Sequence, residues 1–275
     1  MAILSVDLAC RHWSDLGIVI LDRVPSQTSG LLPAAHSPAR GLQALSTQAS
    51  STVECLILPS SADGLPEGPV DAEILAGRLN HLCTANNIRV LMLDGPQAWK
   101  SGSNGLEHAR LSERALNTAA KTGLPGLVKP STYRTFSEFC IDVYDALARR
   151  GWQRLDTSAG IAPQQRILVE SYPYAAWRSL GIVPLPAKRR AQISDLARAY
   201  ADLHNIVPFT TNRPPNHDQL QAIVGGLPGL ALEERNNAAL RIVGAPPRRE
   251  QGHWREGFIV LPVPPPHTAG LRWLN

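Results

Sequence analysis

Three apolar runs that each close on a carboxylate constrain this chain more than anything else in it. Ile3-Leu4-Ser5-Val6 leads into Asp7, Ile88 to Leu93 leads into Asp94, and Arg166 to Val169 leads into Glu170. Short β-branched runs of this kind read as strands buried on both faces. A charge at the end of a buried strand is costly to desolvate unless something pairs with it. Several carboxylates gathered in one place repel unless they share protons or hold cations. Adjacent strands of one sheet would bring these three acids to a single edge, so the fold must supply them with partners there.

A fourth acid has its own local logic. In Asn216-His217-Asp218-Gln219-Leu220-Gln221-Ala222, after Pro214-Pro215, Asn216 is a helix N-cap and Asp218 falls in the first turn, where the helix dipole favours an anion. Leu220, Ile223, Val224 and Leu227 make an apolar stripe, while Asp218, Ala222, Gly225 and Gly229 make a face of small residues that allows close packing. Pro228 is expected to end or kink this helix. A lone Asp at a strand end is most often a turn former or a cap. Four acids in distinctive local motifs favour a shared site. Hard carboxylate oxygens suit magnesium or manganese, and two such ions, roughly 3.5–4 Å apart, could clamp the attacking and leaving oxygens of an in-line displacement.

The strand-rich start predicts an antiparallel hairpin from Ile3–Val6 and Gly17–Leu21, joined by a third strand at Val53–Leu58. Thereafter helices and strands alternate. Helices are expected over 70–86, 108–122, 131–150, 172–180, 187–204 and 216–227, and strands over 88–93 and 166–170, with a late edge strand at 257–261. The expected fold is an α/β mixed sheet, antiparallel through the first three strands and parallel after them, flanked by helices. No internal linker stands out, so 1–275 is expected to form a single domain, with a Ser/Pro-rich insertion near 25–52 carrying a short helix at Ala39–Leu45, and an extended Pro-rich C-terminal tail.

The chain has 275 residues, 44% hydrophobic and 18% charged, with a net charge of +4, which permits a polyanionic partner without demanding one. Cys10, Cys55, Cys83 and Cys140 are scattered without C-x-x-C spacing, which argues against a zinc ribbon or a disulfide framework and fits a reducing cytosol. No stretch has the length of a membrane span, and the start reads as a strand rather than a signal peptide, so a cytoplasmic, membrane-free protein is expected.

In order and content these motifs resemble the prokaryotic family called domain of unknown function 429, predicted nucleases of the ribonuclease H-like superfamily. The matching segments are Val6-Asp7-Leu8-Ala9, Leu93-Asp94-Gly95-Pro96, Glu170-Ser171-Tyr172-Pro173, His217 to Ala222, and Glu256-Gly257-Phe258-Ile259-Val260-Leu261-Pro262. The resemblance runs from about Ile3 to Pro262. It implies a ribonuclease H-like fold, a hydrolase acting on nucleic acid (DNA or RNA) with Mg2+ or Mn2+, and Asp7, Asp94, Glu170 and Asp218 as catalytic and metal-binding residues. Where the family repeats an acid in its last helix, this chain has Gln221, a neutral and weaker oxygen donor.

The resemblance also marks Arg110, beside Glu113, and Lys188, in Lys188-Arg189-Arg190 at the start of a helix, as candidate substrate contacts. The bland alternatives are an i,i+3 pair on a solvated face and a plain surface charge run. Trp99, Trp152, Trp177, Trp254 and Trp273 could stack bases or simply fill core. Three function classes follow: a metal-dependent nuclease, junction resolvases included; a nucleic-acid-binding or scaffold protein with a weakened site; and an actin- or sugar-kinase-like phosphotransferase. The last is disfavoured because Cys10, Arg11, His12 and Trp13 follow Asp7 in place of small phosphate-holding residues.

Overall fold

The computed structural model describes residues 1–25, 51–58, 68–157, 161–162 and 164–264. The helix expected at Ala39–Leu45, most of the 25–52 stretch and the tail beyond residue 264 lie outside those residues.

The hairpin and third strand form as expected. β1 (Ala2–Asp7), β2 (Gly17–Pro25) and β3 (Ser51–Ile57) make an antiparallel meander. Helix α1 (Ala72–Ala85), capped by the Asp71 carboxylate on the Ile74 N–H, crosses over to β4 (Val90–Asp94), which lies parallel to β1. The expected 108–122 helix shrinks to α2 (Leu111–Leu116), because Asn117 turns left-handed and ends it. A small ribbon of β5 (Lys121–Thr122) and β6 (Val128–Lys129) follows, and α3 (Arg134–Ala148) then leads through β7 (Gln153–Arg154) to β8 (Ile167–Ser171).

After β8 come α4 (Pro173–Ser179), α5 (Ile193–Ile206), β9 (Phe209–Thr211) and α6 (His217–Glu233). The chain closes with the hairpin β10 (Leu240–Glu250) and β11 (His253–Pro262). Two expectations about helix ends are corrected here. Lys188–Arg190 form a turn ahead of α5 rather than its first residues, with the Ala187 carbonyl accepting from Arg190 and Ala191. Helix α6 runs on through Pro228, because 222–233 are buried and packing outweighs one missing backbone bond.

Among the described residues the main sheet has nine strands, in the order β10-β11-β8-β4-β1-β2-β3-β9, with β7 also against β8. β1, β4, β8 and β11 run parallel to one another, beside the antiparallel meander. β11 was expected at an edge and instead sits between β8 and β10. Its partner β10 escaped notice because Pro246-Pro247 break the strand pattern; the structure absorbs them where the register shifts between Ala245 and Arg248.

Alternation along the strands sorts the core into two layers. Ile3, Met92 and Val169 face α6 with Leu220, Ile223 and Leu230, while Leu4, Leu91, Leu93 and Leu168 face α1 and α3 with Leu79, Val143 and Trp152. The small-residue face of α6 lies directly on the sheet: a Cβ at Gly226 would come within 2.8 Å of Ser5, and one at Gly229 within 2.8 Å of Met92. No helix of the described residues is long and apolar enough to cross a membrane.

Candidate functional site

Register decides which acids meet. Asp7 of β1 pairs directly with Asp94 of β4, so both emerge on the α6 face at the carboxyl ends of neighbouring parallel strands. The chain leaves β4 at Gly95, whose φ of +141° is closed to other residues and whose Cβ, if present, would lie 2.4 Å from the Cys140 sulfur. Asp218 reaches the same place for a related reason. Across β2 from Asp7 stands Gly17, and a Cβ there would fall 2.2 Å from the Asp218 carbonyl oxygen. The first turn of α6 therefore rests on bare backbone beside Asp7.

Burial raises the Asp7 carboxyl well above the usual carboxylate range, and the neighbouring Asp94 and Asp218 charges push it further, against a smaller opposing pull from Lys188. Burial likewise lifts Asp94 to about 7, with the hydrogen bond to Asp7 opposing and the Glu170 charge adding. Two carboxyl groups in hydrogen-bond contact share a proton, and burial favours the pair that keeps it.

Asp218 is buried and engaged. Its Oδ2 accepts from Lys188 Nζ at 2.5 Å, and its Oδ1 lies 3.2 Å from His217 Nδ1. Lys188 Nζ also donates to Asp15 Oδ1 at 2.7 Å, and His217 Nε2 donates to the Pro186 carbonyl at 2.9 Å. Lys188, a candidate substrate contact, thus already bridges two carboxylates. Gln221, one helical turn past Asp218, accepts from the Trp177 indole N–H at 2.7 Å.

Glu170 is placed differently. It pairs with Leu93 rather than Asp94, one residue out of step, which turns it to the α3 face of the sheet. Both of its oxygens receive the Arg110 fork, at 2.6 and 2.7 Å, and Oε2 also accepts from the Gln97 N–H at 3.0 Å. Burial pushes this carboxyl upward while the guanidinium and the N–H pull it back; three donors on two oxygens hold it as an ion pair.

The solvated i,i+3 reading of Arg110 and Glu113 is overturned. Both side chains are buried, at 1% and 3% exposure. Glu113 accepts from the Arg110 N–H and Nε at 3.0 Å each and from the Thr122 N–H at 2.9 Å, and it also meets the Thr122 hydroxyl. Glu256, whose role the residues alone did not suggest, is fully buried and accepts from Ser101 N–H, Asn104 Nδ2 and Leu111 N–H. These contacts tie down the segment between β4 and α2. A pocket of about 200 Å³ opens beside Asp94, walled by Tyr133, Phe136 and Tyr172, with Arg110, Glu113 and Glu170 among its lining.

The four acids therefore divide. Asp7 and Asp94 touch, Asp218 lies beside Asp7 under Lys188, and Glu170 adjoins Asp94 under Arg110. Among the described residues no group of three or more His, Cys, Asp or Glu is arranged to hold a metal. Trp99, Trp152 and Trp177 are buried core, Trp254 lies under Arg154 and Arg249, and Trp273 lies outside the described residues.

No family model matches the chain, and no curated protein matches it, so the resemblance to domain of unknown function 429 rests on its motifs. Among solved structures, that of RuvC from Thermus thermophilus aligns over 86% of this chain and 97% of its own, with 10% identity and a TM-score of 0.35. The same protein in complex with a Holliday junction substrate aligns over the same shares with 10% identity and a TM-score of 0.34. Superpositions this loose carry no argument about activity.

Proposed function

We propose that this chain is a metal-dependent phosphodiesterase acting on nucleic acid, with Asp7 and Asp94 as the reactive carboxylates. The observation that carries the reading is the Asp7–Asp94 pair itself. Two acids are held side by side at adjoining strand ends, where burial and their neighbouring charges favour the protonated form. Strongly perturbed carboxyl pairs of this kind are a signature of functional sites.

Their hard oxygens fit Mg2+ or Mn2+, and Asp7 and Asp94 are the residues that would hold it. Bound there, such an ion would supply an activated water and offset charge on a scissile phosphate. Asp218 orients Lys188 toward the pair, and Glu170 orients Arg110 along the neighbouring pocket. Lys188, half-exposed, is the cation that a phosphate backbone could meet beside the carboxylates, whereas Arg110 is buried in its pairs with Glu170 and Glu113. The net charge of +4 suits such a partner.

A cleavage screen with manganese, over single-stranded, duplex, hybrid and branched substrates, tests the proposal. Wild type should cut at least one of them, and Asp94→Asn should abolish cutting while the fold stays intact. A second reading, a nucleic-acid-binding protein with a silenced centre, draws support from Gln221, whose oxygen is committed to Trp177. Wild type that binds metal and nucleic acid yet cuts none of the substrates would favour it.

A further inference from the structure

We infer that the pocket beside Asp94 receives an unpaired nucleobase, so that the chain acts on strands presenting a single-stranded or extruded nucleotide at the carboxylate pair. The inference rests on the nucleic-acid reading above and concerns which form of nucleic acid the site takes. An apolar cavity of about 150 Å³ accepts benzene. This pocket, at about 200 Å³, has room for a ring with substituents. Its walls suit a ring as well. Tyr133, Phe136 and Ser137 share one face at the start of α3, and Tyr172, which follows β8, adds a third aromatic side chain. Tyr172 is held by the Ala119 N–H on its hydroxyl and by Tyr174, whose ring centroid is 6.0 Å away. Tyr133 is 40% exposed, an aromatic ring left standing at the mouth. Such faces are the platforms on which unpaired bases stack.

Charge selects the base over the phosphate as occupant. Among the described lining residues Arg110 is the one cation, and its guanidinium is spent on Glu170 and Glu113. A phosphate placed there would meet Asp94, Glu113 and Glu170 with no free counter-charge. A base is neutral, and its phosphate stays outside at the Asp7–Asp94 pair, one sugar away. One polar group awaits its edge. Ser137 is fully buried, and its hydroxyl has no hydrogen-bond partner among the described residues, not even a carbonyl of its own helix. A buried hydroxyl costs stability until something pairs with it. It can donate or accept, and a base edge offers both kinds of partner. A base inside a duplex is stacked and paired, and must leave the helix before it can enter.

Strand binding in a chelator, followed by the anisotropy of a labelled oligothymidylate, tests this without any turnover. Wild type should bind that strand more tightly than an abasic strand of the same length. Tyr133→Ala should weaken the ordinary strand about 5- to 150-fold and leave the abasic strand and a fully paired duplex unchanged. The loss should be the same at low and high salt, because stacking releases no counterions. Ser137→Ala should weaken the ordinary strand alone, without lowering Tm, since its hydroxyl has no partner to lose. Tyr133 is exposed, so alanine opens no buried void; circular dichroism checks the fold. Tyr133→Leu, which removes the ring and keeps apolar bulk, serves if the alanine variant does not fold. Equal affinity of wild type for the ordinary and abasic strands would overturn the inference, even in a protein that cleaves. So would a Tyr133→Ala loss that is absent, or that is equal on both strands. Thymidine monophosphate bound as tightly as the strand would overturn it too, by making the pocket a nucleotide site. Base-dependent binding without cleavage would count against the phosphodiesterase alone, and no binding to any nucleic acid would end both readings.

Discussion

Asp94→Asn should stabilise the metal-free protein, and by an amount that depends on pH. In the folded chain the Asp94 carboxyl is lifted from 3.8 to about 7, first by burial and then by the Glu170 charge, with the Asp7 bond opposing. The folded state thus binds this proton more tightly than the unfolded state does. The stability it contributes is complete below about pH 4 and is lost as pH rises through 7. A shift of about three units corresponds to roughly 4 kcal/mol, and because the proton is shared with Asp7 about 2–4 kcal/mol is the reasonable range. Asparagine keeps the shape and does not titrate, so it escapes the loss. Urea unfolding in a chelator should show the variant ahead by about 1 kcal/mol or less at pH 4.5 and by about 2–4 kcal/mol at pH 8. Manganese at 1,000 times its Kd should close that gap, since it adds about 4.1 kcal/mol to the protein that binds it and nothing to the one that does not. A stability difference that is the same at both pH values, or that favours wild type at pH 8 without metal, would refute the reasoning.

Arg110→Met leaves Glu170 and Glu113 buried without their guanidinium and should cost about 3–5 kcal/mol, read as a lower urea midpoint. Gly17→Ala drives a methyl group onto the Asp218 carbonyl; it should cost about 1–3 kcal/mol or more and lift the start of α6 off the sheet, seen as a lower Tm together with slower cleavage. Gln221→Asp shortens the side chain that accepts from the Trp177 indole, and should destabilise by about 1–2 kcal/mol in urea unfolding without raising the cleavage rate.

What could be read from the residues follows from which physics is local. The meander, the crossover to β4 and the pairing of Asp7 with Asp94 were readable because alternation and run length are properties of short segments. Glu170 closes its run just as Asp94 does, yet the register between β4 and β8 sets it opposite Leu93 and sends it to the other face. That one-residue offset comes from how layers pack, and no feature of either run encodes it. Arg110 and Glu113 fail for a similar reason. An i,i+3 pair has the same pattern whether it faces water or the Glu170 carboxylate, and only the fold brings Glu170 to it. β10 stayed hidden because Pro246-Pro247 look like a loop until β11 is laid beside them.

The seating of α6 on β1 has a consequence for how the chain is made. Ser5, the surface beneath Gly226, leaves the ribosome about 220 residues before the helix that covers it, and at synthesis rates of about 5–20 residues per second this is a delay on the order of 10–45 s. Through that interval the first hairpin carries Ile3 and Leu21 uncovered on one face, beside the edge that β4 later takes. An emerging N-terminal third of this protein is therefore a sticky, half-clad sheet. Such a face favours association with other chains until α6 arrives to cover it.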